Sequence, residues 1–200
     1  MHFAGQELDR VGRGRIVDIG CGAGRNAIPL ARQGWNIIGR DLSLPMIHAA
    51  IERAARARVD EHAQFAHAAM DSLPVRDDSC DLVIAHGIWN LARSAETFRR
   101  AVHEAARVAK IGAGLFVFTF SRNTLSPQAT PFPDEPFVFA DHSGAPHCFL
   151  TEDQLVSELK SAGFTIDPDI GLRELNRPAA GGLPTIGSPV IYEGTFRYQP

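Results

Sequence analysis

The stretch IVDIGCGAGRNAIPLA, residues 16–31, decides the fold class of this chain. It begins as an apolar, β-branched run typical of a buried strand, and from about residue 25 it takes the spacing of a helix. Between the two stand an aspartate and three alternate glycines: Asp18, Gly20, Gly22 and Gly24. Glycines at the carboxyl end of a strand let the backbone approach a ligand closely. The stretch therefore predicts a nucleotide-like cofactor beside the first strand.

Strand-like and helix-like patterns alternate along the rest of the chain. Strands are predicted at 16–20, 36–41, about 64–69, 81–87 and 115–120, with closing strands at 164–167 and 190–198. Helices are predicted at about 25–33, after the N-cap Ser43, at 94–109 and, with Thr151 as N-cap, at 151–164. The fifth strand is apolar on both faces, as in a sheet covered on both sides. This order predicts an α/β fold: a doubly wound, Rossmann-like, mostly parallel sheet of about seven strands with helices on both faces.

Composition limits the class of protein and its partners. The 200 residues are 44% hydrophobic, enough for one sizeable core, and the net charge of −3 provides no basic field for nucleic acid. The three cysteines are far apart, which favours a reduced, cytoplasmic setting and provides no metal-binding pair. The sequence has no secretory signal and no apolar run of membrane-spanning length. We expect one domain with neither a metal nor a membrane or nucleic-acid partner.

The spacing of the glycines argues against two common nucleotide-binding motifs. A dinucleotide fingerprint, G-x-G-x-x-G, fails because its sixth position is Arg25 counted from Gly20 and Ala27 counted from Gly22. A phosphate-binding loop would need a Gly-Lys-Ser/Thr sequence, which does not occur. The motif is instead an aspartate followed by alternate glycines, suited to a ligand carrying an ammonium group.

This motif resembles the first motif of class I S-adenosylmethionine-dependent methyltransferases. The resemblance covers about residues 12–120 well and implies that residues 20–24 wrap the methionine moiety, with Asp18 near its amino group. Asp41, at the end of the second strand, matches the residue that binds the ribose hydroxyls, and Asp71 in the segment Met70–Pro74 matches one that binds the adenine amino group. The cofactor-binding residues implied are Asp18, Gly20, Cys21, Gly22, Gly24, Asn26, Asp41, Leu42, Met70, Asp71, Ser72 and His86.

The acceptor side is less sharply defined by sequence. His86, ending the fourth strand, is the candidate general base, although a structural histidine fits the same position. Trp89 and Arg177 are the candidate acceptor contacts. The segment Glu174–Arg177, with the glycine motif, looks closest to the tellurite-resistance and thiol-methyltransferase-like group, with Asn176 in place of a histidine.

The resemblance divides the single domain, 1–200, into three parts. Residues 12–120 form the donor-binding core, the proline-rich residues 122–150 form a lid or substrate loop, and residues 151–200 form a closing helix and strands joined by a connection at 178–189. The implied activity is methyl transfer from S-adenosylmethionine, leaving S-adenosylhomocysteine, to a small-molecule acceptor by a monomer or homodimer. A nicotinamide-dependent oxidoreductase and a non-catalytic S-adenosylmethionine-binding protein remain the alternatives.

Overall fold

The computed structural model describes residues 2–141, 143–177 and 189–200. The connection predicted at 178–189 lies outside these residues, apart from Pro189. The helices are α1 (His2–Val11), α2 (Ala27–Arg32), α3 (Leu44–Ala57), α4 (Ala95–Val108) and α5 (Glu152–Ser161). The strands are β1 (Arg15–Ile19), β2 (Asn36–Asp41), β3 (Ala63–His67), β4 (Cys80–His86), β5 (Ala109–Phe120), β6 (Val138–Ala140), β7 (Pro146–Cys148), β8 (Phe164–Ile166), β9 (Leu172–Leu175) and β10 (Ile191–Tyr198).

The central sheet has eight strands, in the order β3-β2-β1-β4-β5-β10-β8, with β9 also paired to β10. The five strands from β3 to β5 are parallel, and β10 is antiparallel to β5, β8 and β9. The strand order reverses next to β1, between β1 and β4, which is where ligands bind in open sheets of this type. The predicted mostly parallel, doubly wound fold is confirmed, with eight strands in the sheet.

Helices cover both faces of the sheet, as predicted. Helices α1, α2 and α3 pack on one face over a core that includes Ile16, Trp35 and Leu82. Helices α4 and α5 pack on the other face over a larger core that includes Val83, Leu115 and Phe196. Alternate residues of β4 and β5 therefore enter different cores.

Three helices begin where their N-cap residues predict. The Ser43 hydroxyl accepts a hydrogen bond from the Met46 amide, and the Ser94 hydroxyl accepts one from the Thr97 amide. Thr151 and Gln154 form the reciprocal capping box expected from their spacing. These caps satisfy amide groups that the first helical turn leaves without partners.

Several elements were not anticipated from the sequence. Residues 2–11 form α1, a helix that the sequence patterns above do not include. Residues 109–114, which precede the strand predicted at 115–120, belong to β5, which pairs with β4 across a bulge between Cys80 and Leu82. Strand β9 and the β6–β7 hairpin are also additional.

The proline-rich segment 122–150 is packed against the body of the protein. Phe137 and Phe149 are buried, and Phe137 makes an edge contact with Phe98 of α4 at 5.3 Å between ring centres. The Glu135 carboxylate accepts a hydrogen bond of 2.7 Å from the first amide of α4. Within the described residues, no helix has the length and apolar character needed to cross a membrane.

Candidate functional site

The glycine corner after β1 has a backbone that other residues would strain. Gly20, Gly22 and Gly24 have φ angles of +71°, +51° and +76°. A Cβ at Gly20 would lie 2.6 Å from the Ile88 side chain, whereas one at Gly22 would meet no protein atom within 4 Å. A glycine is therefore favoured at position 22 by the positive φ angle and not by crowding from neighbouring side chains. The space beside Gly22 is open to a ligand.

Asp18 lies beneath this corner and is the most unusual group in the site. It is 1% exposed, and neither carboxylate oxygen has a hydrogen-bond partner. Burial and, to a smaller extent, the nearby charge of Asp41 together raise the pKa of Asp18 to about 7, with Arg25 opposing the shift. A buried carboxylate without a partner is costly, so its retention indicates a cationic or hydrogen-donating ligand.

Asp41 closes the same corner from the end of β2. One of its oxygens accepts a hydrogen bond of 2.9 Å from the Gly22 amide, and the other accepts one of 2.8 Å from the Ser43 amide. These two bonds fix the carboxylate. Each oxygen keeps a second lone pair, so the carboxylate can accept from two further hydroxyl groups.

The remaining predicted residues of the corner surround these carboxylates. Burial raises the pKa of the Cys21 thiol to about 12, which keeps it protonated and unreactive. Asn26 begins α2 without a side-chain capping bond. Leu42 is 63% exposed immediately after Asp41 and presents an apolar surface beside that carboxylate.

The segment after β3 holds its predicted acidic residue in an ion pair. The Asp71 carboxylate binds the guanidinium of Arg100 on α4 through one oxygen. Met70 is partly buried and Ser72 is exposed, in a turn in which the Ser72 amide donates to the carbonyl of Ala69. The other oxygen of Asp71 takes no part in this ion pair.

His86 ends β4 on the face covered by α1 and α2. Its ring stacks on Phe118 at 4.5 Å and on Phe116 at 5.9 Å between ring centres. Burial lowers the pKa of His86, and the charge of Arg25 lowers it further. The imidazole is therefore neutral at pH 7 and able to accept a proton.

The two predicted acceptor contacts lie in different environments. Trp89 is fully buried in the core on the α4 face, with an edge contact to Phe98. Arg177 has a side chain that is 65% exposed and pairs with Glu174 at 3.2 Å. Glu174 in turn accepts hydrogen bonds from Ser121 and Asn123.

The sequence analysis missed Arg25 and Glu193. The charge of Arg25 acts on both Asp18 and His86, so this side chain connects the two halves of the site. The position of Arg25 directly after Gly24 is the sequence feature from which its place beside the glycine corner could have been predicted. Glu193 of β10 approaches His86 from a strand about 100 residues later, which no local pattern reveals. Among the residues that the structure describes, no group of three or more His, Cys, Asp and Glu is arranged to hold a metal ion.

Comparison with known proteins agrees with this geometry. Residues 16–112 match a family model described as a methyltransferase domain. The ubiquinone/menaquinone biosynthesis C-methyltransferase UbiE of Syntrophotalea carbinolica is 34% identical over 122 residues, which are 60% of this chain and 49% of that protein. The tRNA 5-carboxymethoxyuridine methyltransferase of Escherichia coli is 36% identical over 90 residues, which are 42% of this chain and 34% of that protein.

The fold has a close structural counterpart. A solved S-adenosylmethionine-dependent methyltransferase from Methanosarcina mazei superimposes with a TM-score of 0.76, covering 94% of this chain and 93% of the other at 22% identity. This chain is therefore similar to methyltransferases over about residues 16–112, and its fold is that of the solved structure. The chain spans about half or less of the length of the two curated relatives above. These matches do not single out the tellurite-resistance subgroup.

Proposed function

We propose that this protein transfers the methyl group of S-adenosylmethionine to a small-molecule acceptor. The observation that carries the proposal is Asp18, a fully buried carboxylate with no partner, next to an open glycine corner. A ligand with an ammonium group would satisfy both oxygens, and S-adenosylmethionine carries such a group beside its sulfonium. The bound donor supplies an electrophilic methyl group.

The residues of the corner fit the rest of the donor. The carboxylate of Asp41, fixed by two amides, is suited to two ribose hydroxyls, and the exposed Leu42 provides an apolar surface for adenine. Met70, Ser72 and the second oxygen of Asp71 are assigned to the adenine edge. Cys21 and Asn26 are assigned to the loop around the methionine moiety, where small or uncharged side chains suffice.

We assign the acceptor side to the end of β4. The neutral imidazole of His86 is suited to receive a proton from an acceptor hydroxyl, and Arg25 lies where its charge reaches both halves of the site. Arg177 remains a candidate for an anionic part of an acceptor, whereas the burial of Trp89 removes support for its contact. The net charge of −3 favours a small molecule over nucleic acid, although one relative acts on tRNA.

Calorimetric titration with S-adenosylmethionine, S-adenosylhomocysteine and NADH tests the proposal. We expect the first two to bind and NADH not to bind. The Asp41→Ala variant is expected to weaken donor binding at least tenfold because it removes the acceptor of both ribose hydroxyls. The exposed Asp9→Ala variant on α1 is the matched control and leaves the affinity unchanged.

The alternatives predict different results. Binding of NADH alone would favour the oxidoreductase and refute the methyltransferase. Donor binding without methyl transfer to any member of a broad panel of thiols, phenols and amines would favour the non-catalytic binding protein. Gel filtration with light scattering distinguishes a monomer from a homodimer.

A further inference from the structure

A cavity of about 260 Å³ lies beneath α1, against the face of the sheet formed by β4 and β5. Its apolar walls come from both helices and strands: Phe3, Ala4, Leu30, Leu82, Ile84 and Phe116. The cavity is partly open to solvent, so a small molecule can enter it, and apolar side chains form most of its lining.

The polar groups of the cavity are His86, Asn26 and Glu193. Asn26 belongs to the segment that continues the glycine corner, and Arg25 next to it influences the pKa of both Asp18 and His86. The cavity therefore adjoins the donor corner through Asn26. Its remaining walls lead away along the sheet, past Ile84 to Leu82, and are not part of the donor-binding residues.

We infer that this cavity receives the apolar ring body of the methyl acceptor, with the acceptor hydroxyl directed at His86. This inference rests on the proposed function, because the ligand is a methyl acceptor only if the protein is a methyltransferase. It goes beyond that function by naming the ligand class, an uncharged molecule of one or two rings with a phenol-like hydroxyl.

Size and chemistry both favour this class. An apolar cavity of about 150 Å³ binds benzene, and the present cavity is larger at about 260 Å³. Three lining side chains, Phe3, Phe116 and His86, are rings, and the rings of His86 and Phe116 lie within 13° of parallel. Aromatic walls favour aromatic ligands over aliphatic chains. The charges near His86 are of opposite sign, the Glu193 carboxylate in the lining and Arg25 beside Asn26, so they favour an uncharged ring over a charged one.

The neutral state of His86 specifies the hydroxyl. A neutral imidazole presents one ring nitrogen as a hydrogen-bond acceptor, so a ligand that donates an O–H satisfies it. A methyl ether of the same ring cannot donate this bond and would leave a half-buried polar group unsatisfied.

Binding of 2-naphthol, followed by its fluorescence, tests the inference without turnover. Ala4→Leu places three more carbon atoms in the cavity and is expected to weaken 2-naphthol binding at least tenfold, with the milder Ala4→Val intermediate. Ala55→Leu, on an exposed position of α3, is the matched control and is expected to change the affinity less than twofold. Circular dichroism establishes that each variant is folded.

Two comparisons test the ligand class. The protein is expected to bind 2-naphthol at least fivefold more tightly than 2-methoxynaphthalene, and His86→Leu is expected to remove that preference. It is also expected to bind 2-naphthol more tightly than 1-octanol. Unchanged 2-naphthol affinity in folded Ala4→Val and Ala4→Leu would overturn the site, and equal binding of 1-octanol or of the ether would overturn the class.

Titration of the same variants with S-adenosylhomocysteine separates this inference from the proposed function. Ala4→Leu and Ala55→Leu are both expected to bind it within twofold of the parent protein, because neither residue lies at the glycine corner. Binding of S-adenosylhomocysteine without any binding of 2-naphthol would refute the cavity assignment alone. Binding of 2-naphthol that Ala4→Leu weakens, without donor binding, would retain the ligand site and refute the methyltransferase.

Discussion

The surroundings of Asp18 disfavour a charge on its carboxylate, whereas the proposed pairing with the donor ammonium requires that charge. Burial and Asp41 raise its pKa to about 7, and Arg25 only partly offsets them. A bound ammonium would stabilise the ionised form and lower this pKa. Donor binding and deprotonation of Asp18 are therefore coupled, which makes the affinity depend on pH near neutrality.

Donor affinity is expected to fall about tenfold between pH 8 and pH 6. Because the pKa of Asp18 is about 7, most Asp18 carboxyls are protonated when the pH is below 7, and a neutral acid cannot form an ion pair with the donor ammonium. Calorimetric titration with S-adenosylhomocysteine, which carries the same amino group, measures this change. The Asp18→Asn variant is expected to bind weakly and equally at both pH values. An affinity of the parent protein that is constant from pH 6 to pH 8 would refute the assignment of Asp18.

The same residue predicts a conflict between binding and stability. A pKa raised from 3.8 to about 7 means that protonated Asp18 stabilises the fold at low pH, and that this stabilisation is lost as the pH rises through about 7. Asp18→Asn removes the buried charge, so we expect it to increase the free energy of unfolding above pH 7 by up to about 4 kcal/mol. The gain is expected to decrease below pH 7 and to vanish near pH 4.

Urea unfolding at pH 8, 6 and 4.5 measures the effect of Asp18→Asn. The control is Asp60→Asn, which alters an exposed carboxylate and is expected to change stability little at any of these pH values. A variant less stable than the parent protein at pH 8 would mean that Asp18 has a partner in the folded protein.

At the scale of elements, helix α1 depends on contacts far away in sequence. The buried Glu7 carboxylate binds Arg197 of β10, and the Nε atom of Arg197 donates a 2.8 Å hydrogen bond to Asp167. Burial opposes the charge of Glu7, but its hydrogen bonds with Arg197 and Arg10 prevail and lower its pKa. This ion network holds α1 over the sheet and so maintains the wall that Ala4 forms in the cavity.

Arg197→Met is expected to destabilise the protein by about 3–5 kcal/mol, because it leaves the buried Asp167 without its cation and the buried Glu7 with Arg10 alone. In this variant, the largest increase in amide hydrogen exchange, measured by mass spectrometry, is expected in α1. Urea unfolding measures the change in the free energy of unfolding. Arg56→Met breaks an exposed pair with Glu52 on α3 and is expected to cost less than about 0.5 kcal/mol. Equal effects of the two substitutions would contradict a structural role for the buried network.

These contacts explain which elements the sequence predicts. Strands β1, β2 and β10 follow from local patterns of β-branched and apolar residues, and the capping box at Thr151 is visible from four residues. Helix α1 is not predicted because its partner Arg197 lies 190 residues from Glu7. The start of β5 was misread because Gly112 and Gly114 suggest a turn, whereas a Cβ at Gly114 would lie 2.9 Å from the Phe3 ring.

The site divides in the same way. Asp18, Asp41 and the glycines are predictable because each directly follows or ends a strand, and parallel strands bring their carboxyl ends together. The partner of Asp71 is not predictable, since Arg100 lies on a helix whose position depends on the packed core. The cavity is invisible in sequence because its walls come from α1, α2, β4, β5 and β10.

At the scale of the whole molecule, donor binding is expected to raise the Tm of the protein. A ligand that binds only the folded state stabilises it by about 2.7 kcal/mol at a concentration of 100 times its Kd. For a chain of 200 residues this corresponds to a rise in Tm of about 5–10 °C. S-adenosylhomocysteine is expected to produce this rise and NADH to produce none, measured by scanning fluorimetry.

Two variants show which site produces the rise in Tm, because Asp18→Asn changes the donor corner and Ala4→Leu changes the cavity. Asp18→Asn is expected to have a higher Tm than the parent protein at pH 8 and no further rise with S-adenosylhomocysteine at the same concentration, since it loses both the buried charge and the ammonium partner. Ala4→Leu is expected to keep the full rise, because it changes the cavity and leaves the donor corner intact. A rise retained by Asp18→Asn would show that donor recognition depends on Asp41 and the glycine backbone without the buried carboxylate.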